Sequence, residues 1–95
     1  MIRVAIPTHL ASYTQGAREV TATGATLGEV LDDLERLHPG VRFRIVDEQD
    51  RIRRHIRFFI GSEMGRSLAD PVPEGETVTI TAALSGGSPA SYLPR

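Results

Sequence analysis

Apolar and polar residues alternate at the start of the chain, with Ile2, Val4 and Ile6 set against Arg3 and Ala5. That period of two is the signature of a half-buried strand, and Pro7 ends it. Residues 8–16 read as a long connection pinned to the body by Leu10 and Tyr13, after which Val20 and Ala22 resume the alternation over 18–22. The two strands predict an N-terminal hairpin without a tight turn. Thr26-Leu27-Gly28-Glu29 is a capping box, in which hydroxyl and carboxylate can satisfy orphan amides at a helix start. Leu27, Val30, Leu31, Leu34 and Leu37 then recur at helical spacing as one apolar stripe, and Asp32, Asp33, Glu35 and Arg36 take the other side as solvated surface. Pro39-Gly40 stops the helix.

Val41, Phe43 and Ile45 alternate with Arg42 and Arg44, which reads as a strand; a short helical turn burying Phe43 and Val46 is the alternative. A polar turn over 47–50 leads to a strand over 52–60, with Ile56, Phe58 and Ile60 on one face and His55, Arg57 and Phe59 on the other. A turn at Gly61-Ser62-Glu63, a short edge segment over 64–68 and a turn-rich connection over 70–75 follow. A last strand over 77–83 carries Val78, Ile80 and Ala82 inward and threonines outward. One helix with a single apolar stripe must cover one sheet. The fold class is therefore α+β, a two-layer domain with a mixed sheet of four to five strands whose first and last strands are central.

Composition narrows the chemistry. Ninety-five residues suit one domain. A net charge of −1 argues for neither nucleic acid nor anionic membrane as partner. No apolar run approaches a transmembrane span and no signal-like leader is visible, so a cytoplasmic protein is expected. Cysteine is absent, which removes disulfides, thiolate catalysis and cysteine-ligated clusters. Lysine is absent too: all 11 basic residues are arginine, leaving the N-terminus as the one amine. His9, His38 and His55 are scattered with no metal-ligand spacing, and no catalytic triad, phosphate-binding loop or dinucleotide fingerprint stands out. The chain is expected to hold no metal, to bind no cofactor and to have no active site of its own.

The stretch that remains is the Gly86-Gly87 pair, carried by the last strand and followed by Ser88-Pro89-Ala90-Ser91-Tyr92-Leu93-Pro94-Arg95. Nine glycines in this length produce about one such pair by chance, so the pair needs its context. Ile6-Pro7-Thr8, Gly24-Ala25-Thr26-Leu27-Gly28-Glu29-Val30-Leu31, Phe59-Ile60-Gly61-Ser62-Glu63, Pro73-Glu74-Gly75-Glu76-Thr77-Val78-Thr79-Ile80 and Leu84-Ser85-Gly86-Gly87 supply it. In that order and spacing they resemble the ubiquitin-like β-grasp sulfur carriers of the MoaD/ThiS group over residues 1–87. The N-terminal and helix segments look most like the CysO type that feeds cysteine synthesis. Departures are Thr81-Ala82-Ala83 where the family has a proline, Gly61-Ser62 where Asn-Gly is common, and the eight residues after Gly87.

The resemblance implies a carrier rather than an enzyme, with a β-grasp domain over 1–87 and an extension over 88–95 removed by cleavage between Gly87 and Ser88. An adenylating activating enzyme would use ATP to activate the freed Gly87 carboxyl. Displacement of AMP by sulfur would leave a thiocarboxylate, delivered to a sulfur-accepting synthase of cysteine-synthase-like or other kind. A zinc metalloprotease suits the cut, because a Gly-Gly segment lies flat in a narrow groove. The expected partner-binding residues are Gly86, Gly87, Leu84, Phe59 and Arg57; Phe59 is read as a large exposed aromatic on the face away from the helix. Two alternatives stand beside this reading. One is a non-catalytic β-grasp interaction module, the other the small subunit of a molybdopterin-synthase-like complex.

Overall fold

The computed structural model describes residues 1–82. Strand β1 (Ile2–Ala5) is followed by a 3-10 helix (Thr8–Thr14), strand β2 (Glu19–Ala22), helix α1 (Leu27–Leu37), the short helix α2 (Val41–Ile45), and strands β3 (Ile56–Ile60), β4 (Glu63–Gly65) and β5 (Thr77–Ala82). The sheet order is β2-β1-β5-β3-β4. β1 and β5 run parallel, with Val4 opposite Val78, and every other neighbouring pair is antiparallel. The expected α+β architecture and its central first and last strands are what is found.

Alternation sorts the two faces. Ile2 and Val4 of β1, Ala22 of β2, Ile56 and Phe58 of β3, and Val78 and Ile80 of β5 are buried against Leu27, Val30, Leu31 and Leu34 of α1. The helix begins where the capping box predicts: Thr26 Oγ1 accepts from the Glu29 amide at 3.2 Å. The Glu29 carboxylate reaches one residue further back than the usual box and accepts from the Ala25 amide at 2.8 Å. Leu37 does not belong to the buried stripe. It is the last residue of α1 and is 44% exposed.

Three other expectations are corrected. The connection after β1 is built largely as the 3-10 helix, with Leu10 buried and Tyr13 packed against the core. Residues 41–45 form α2 rather than a strand, and Phe43 lies outside the core, 55% exposed. The cause is non-local. Gly40 takes a φ of 98°, and the Glu35 carboxylate of α1 accepts from the Gly40 and Arg42 amides, both at 2.9 Å. Orphan amides at the start of α2 are thereby satisfied, and helical spacing puts Val41 and Ile45 inward together. The third correction concerns the acidic side of α1, which is more than solvated surface. Glu35 caps α2, Asp32 pairs with Arg42 at 3.0 Å, and Asp33 accepts from the Thr23 amide at 2.9 Å while holding Arg36.

Candidate functional site: the end of the last strand

β5 delivers the chain toward Gly86-Gly87, and its placement is the clearest functional feature of the fold. It is hydrogen-bonded to β1 along one edge and to β3 along the other, so its path is fixed through Ala82, which lies opposite Ile56. Leu84, Gly86, Gly87 and Ser88 lie outside the described residues.

What surrounds the exit can be built from register. β1 runs parallel to β5, so its C-terminal continuation, Pro7 to His9, comes to the same end of the sheet. Arg18 joins it there: the Arg18 carbonyl accepts from the Ile6 amide at 2.8 Å, and the Arg18 Nε donates to the Ile6 carbonyl at 3.2 Å. His9 and Arg18 line a hollow with Thr79 to Ala82. On the other side of β5, Arg54, His55 and Arg57 line a second hollow with Thr81 and Ala82. Arg57 donates to the carbonyls of Arg54 and Ile56, at 2.8 and 3.0 Å, and Thr81 Oγ1 donates to the Arg57 carbonyl at 3.4 Å. A third hollow brings His9 and His55 together with Arg44, Arg53 and Phe43, where the Arg53 guanidinium sits 4.6 Å from the Phe43 ring centre.

Phe59 and Arg57 do lie on the sheet face away from α1. Phe59, however, is half-buried rather than a large exposed aromatic. Its register neighbours Thr79 and Met64 flank it on both sides, and Met64, 46% exposed, is the more open apolar group of the row. The gathering of His9, Arg18, Arg54 and His55 at one end is not visible residue by residue. The visible signal was arginine density: six of the 11 arginines fall between positions 42 and 57.

Two carboxyls are shifted, and both serve local structure. The Arg36 side chain, followed by the Thr23 amide, holds Asp33 below its ordinary value. The Arg51 amide, the largest influence, does the same for Asp47. Among the described residues no group of three His, Asp or Glu side chains is arranged to hold a metal ion. Among them, too, no helix is long and apolar enough to cross a membrane.

No protein-family model matches the chain. Individual proteins do. It is 35% identical over 91 residues to the sulfur carrier protein CysO of Mycobacterium bovis, and the match takes in 90% of this chain and 98% of that protein. The chain belongs to the CysO sulfur carrier proteins. CysO of Amycolatopsis orientalis, solved in a BexX/CysO complex, superposes with a TM-score of 0.85 at 37% identity, covering 92% of this chain and all of that one. Mycobacterium tuberculosis CysO gives 0.83 at 32%, covering 88% and 100%. Small archaeal modifier protein 1 of Haloferax volcanii gives 0.73 at 26%, covering 90% and 98%. Membership in the ubiquitin-like carrier family and the β-grasp fold are thus shown together. Proteins of this family are carriers of sulfur and not themselves catalysts.

Proposed function

We propose that this protein carries sulfur as a thiocarboxylate on Gly87, formed after cleavage of the Gly87–Ser88 bond. The observation that carries the reading is the central β5, held on both edges and pointing the chain toward Gly86-Gly87, in a member of the CysO family. The freed carboxylate attacks the α-phosphorus of ATP in an activating enzyme, pyrophosphate leaves, and the acyl-adenylate has AMP as its leaving group. A sulfide equivalent displaces AMP, and the resulting thiocarboxylate is ionised at neutral pH. Two residues without side chains let the end enter a narrow cleft.

An amide cannot perform the first step, so the eight residues after Gly87 keep the chain latent until a protease removes them. A zinc metalloprotease supplies the cut and a sulfur-accepting synthase takes the cargo. The carrier holds no cofactor, and Phe59, Arg57 and Leu84 border the partner contact beside Gly86 and Gly87.

Intact-mass spectrometry tests the reading. Protein truncated at Gly87 should support ATP–pyrophosphate exchange by its activating enzyme and gain about 16 Da when sulfur replaces oxygen, while the full-length chain does neither without a protease. Full-length protein that transfers sulfur uncut would defeat the proposal.

A further inference from the structure

Charge is distributed along the sheet axis in a way the net value of −1 conceals. Four arginines are paired with carboxylates: Arg3 with Glu19, Arg36 with Asp33, Arg42 with Asp32 and Asp50, and Arg51 with Asp47. Among the described residues the others have no carboxylate within 4.0 Å, and all of these except Arg66 lie where β5 ends. Arg18 stands on the β1 side of the exit, Arg54 and Arg57 on the β3 side, with Arg44 and Arg53 in the adjoining hollow. The opposite end of the sheet is acidic. Glu63, Asp70 and Glu76 line one hollow there, and Glu74 pairs with the amino terminus. Val78, near that end, and Ala82 are four residues apart on β5, so the two ends are separated by about 13 Å along the strand.

We propose that the basic end is a docking collar for a protein partner whose cleft mouth is acidic. The inference rests on the reading of Gly87 as the working terminus and names the chemistry of the surface that receives it. From Ala82 the five residues through Gly87 span at most about 17 Å. Any enzyme that admits Gly87 to a buried reaction centre must therefore bring its cleft mouth against the collar. Unpaired guanidiniums at that point attract a carboxylate-lined rim, and the acidic far end repels the same rim, so approach is oriented before contact. An apolar rim would gain nothing from five arginines that have no carboxylate within 4.0 Å among the described residues, and it would have to desolvate them.

The probe is the activating enzyme that runs pyrophosphate exchange on protein cut after Gly87, a form that keeps all five strands and both α-helices. Association is followed by stopped-flow between 50 and 500 mM NaCl. The association rate should fall about tenfold across that range, and Arg54→Glu and Arg57→Glu should each lower it about three- to tenfold at low salt. Arg66→Glu, an equal change of net charge on the loop after β4, should alter it less than twofold. Thermal unfolding checks that each variant is folded, and Arg54, exposed and with no side-chain hydrogen bond among the described residues, keeps the test usable if Arg57→Glu loosens β3. Rates indifferent to salt, or lowered equally by Arg66→Glu, overturn the collar while exchange activity leaves the Gly87 reading standing. Single-stranded RNA bound with the same Arg54 dependence, in place of the enzyme, also overturns it. If no enzyme exchanges pyrophosphate on the cut protein, the Gly87 reading fails and the collar fails with it.

Discussion

Gly24→Ala should be among the most damaging one-methyl changes in this protein, and its cost can be worked from local geometry. Gly24 precedes α1 with a φ of 156°, and a Cβ built there lies 2.6 Å from the Val30 amide nitrogen, 2.8 Å from the Glu29 carbonyl carbon and 2.9 Å from the Glu29 Cβ. Two of the three atoms are helix backbone, so the clash is relieved only by moving the start of α1 away from the core. Overpacking of this kind costs about 1–3 kcal/mol. A dihedral rarely adopted by residues other than glycine adds about 1–3 kcal/mol, and the stiffer unfolded chain of the alanine variant offsets about 0.4–1 kcal/mol of this. A net loss of about 2–5 kcal/mol follows, a large part of a domain's usual stability. Gly16→Ala is the matched control, because Gly16 has a φ of 86° but a Cβ there meets nothing within 4 Å. It should cost about 1–2 kcal/mol, from the left-handed conformation. Urea unfolding followed by far-UV circular dichroism measures both, with the slope checked for constancy. Equal losses for the two variants would refute the clash.

Leu31→Ala should cost about 2–5 kcal/mol and Leu37→Ala less than about 1 kcal/mol, since Leu31 is fully buried and Leu37 is 44% exposed; urea titration of both decides. Thr26→Ala removes the hydroxyl that accepts from the Glu29 amide and should lose about 1 kcal/mol, with Thr26→Ser restoring most of it. Asp33 has a folded-state pKa below its ordinary 3.8, so its contribution is complete above that value and is lost as pH falls through the lowered one. Asp33→Asn should accordingly flatten the decline of the thermal midpoint below about pH 4. Hydrogen exchange should find β5 amides among the slowest, because β5 is paired on both edges, and β4 amides markedly faster.

The sheet and α1 were legible because their signals are local. Alternation placed Phe58, Val78 and Ile80 inward, and Thr26 with Glu29 marked the helix start one residue before its first buried side chain, Leu27. The reading of 41–45 failed because a five-residue apolar alternation fits strand and helix alike, and the deciding groups, the Glu35 carboxylate and the positive φ of Gly40, lie outside the segment. Leu37 failed for a related reason: helical spacing says which stripe a residue joins but not whether the packing beneath that stripe reaches the helix's last residue. At the candidate site, parity placed Phe59 on the outer face but could not see that Thr79 and Met64 flank it. The arginine density of 42–57 is visible in the sequence, but its meeting with Arg18 is not, since Arg18 reaches that end through the pairing of β1 with β2 and β5, and Arg54 through the antiparallel pairing of β3 with β5.

That same pairing bears on what an activated Gly87 would meet in its own chain. An acyl-adenylate is attacked by amines, and a carrier bearing lysines near its terminus would be open to self-acylation. This sequence has no lysine, and its one amine is the N-terminus. Because β1 runs parallel to β5, Met1 lies at the end of the sheet from which β5 starts, while the activated terminus leaves from the other. There the Met1 amine pairs with Glu74. The arginines crowding the exit are no substitute, since a guanidinium stays protonated under these conditions. The positive charge proposed to suit this end to an acidic rim would thus come from a basic side chain that does not consume an acyl group.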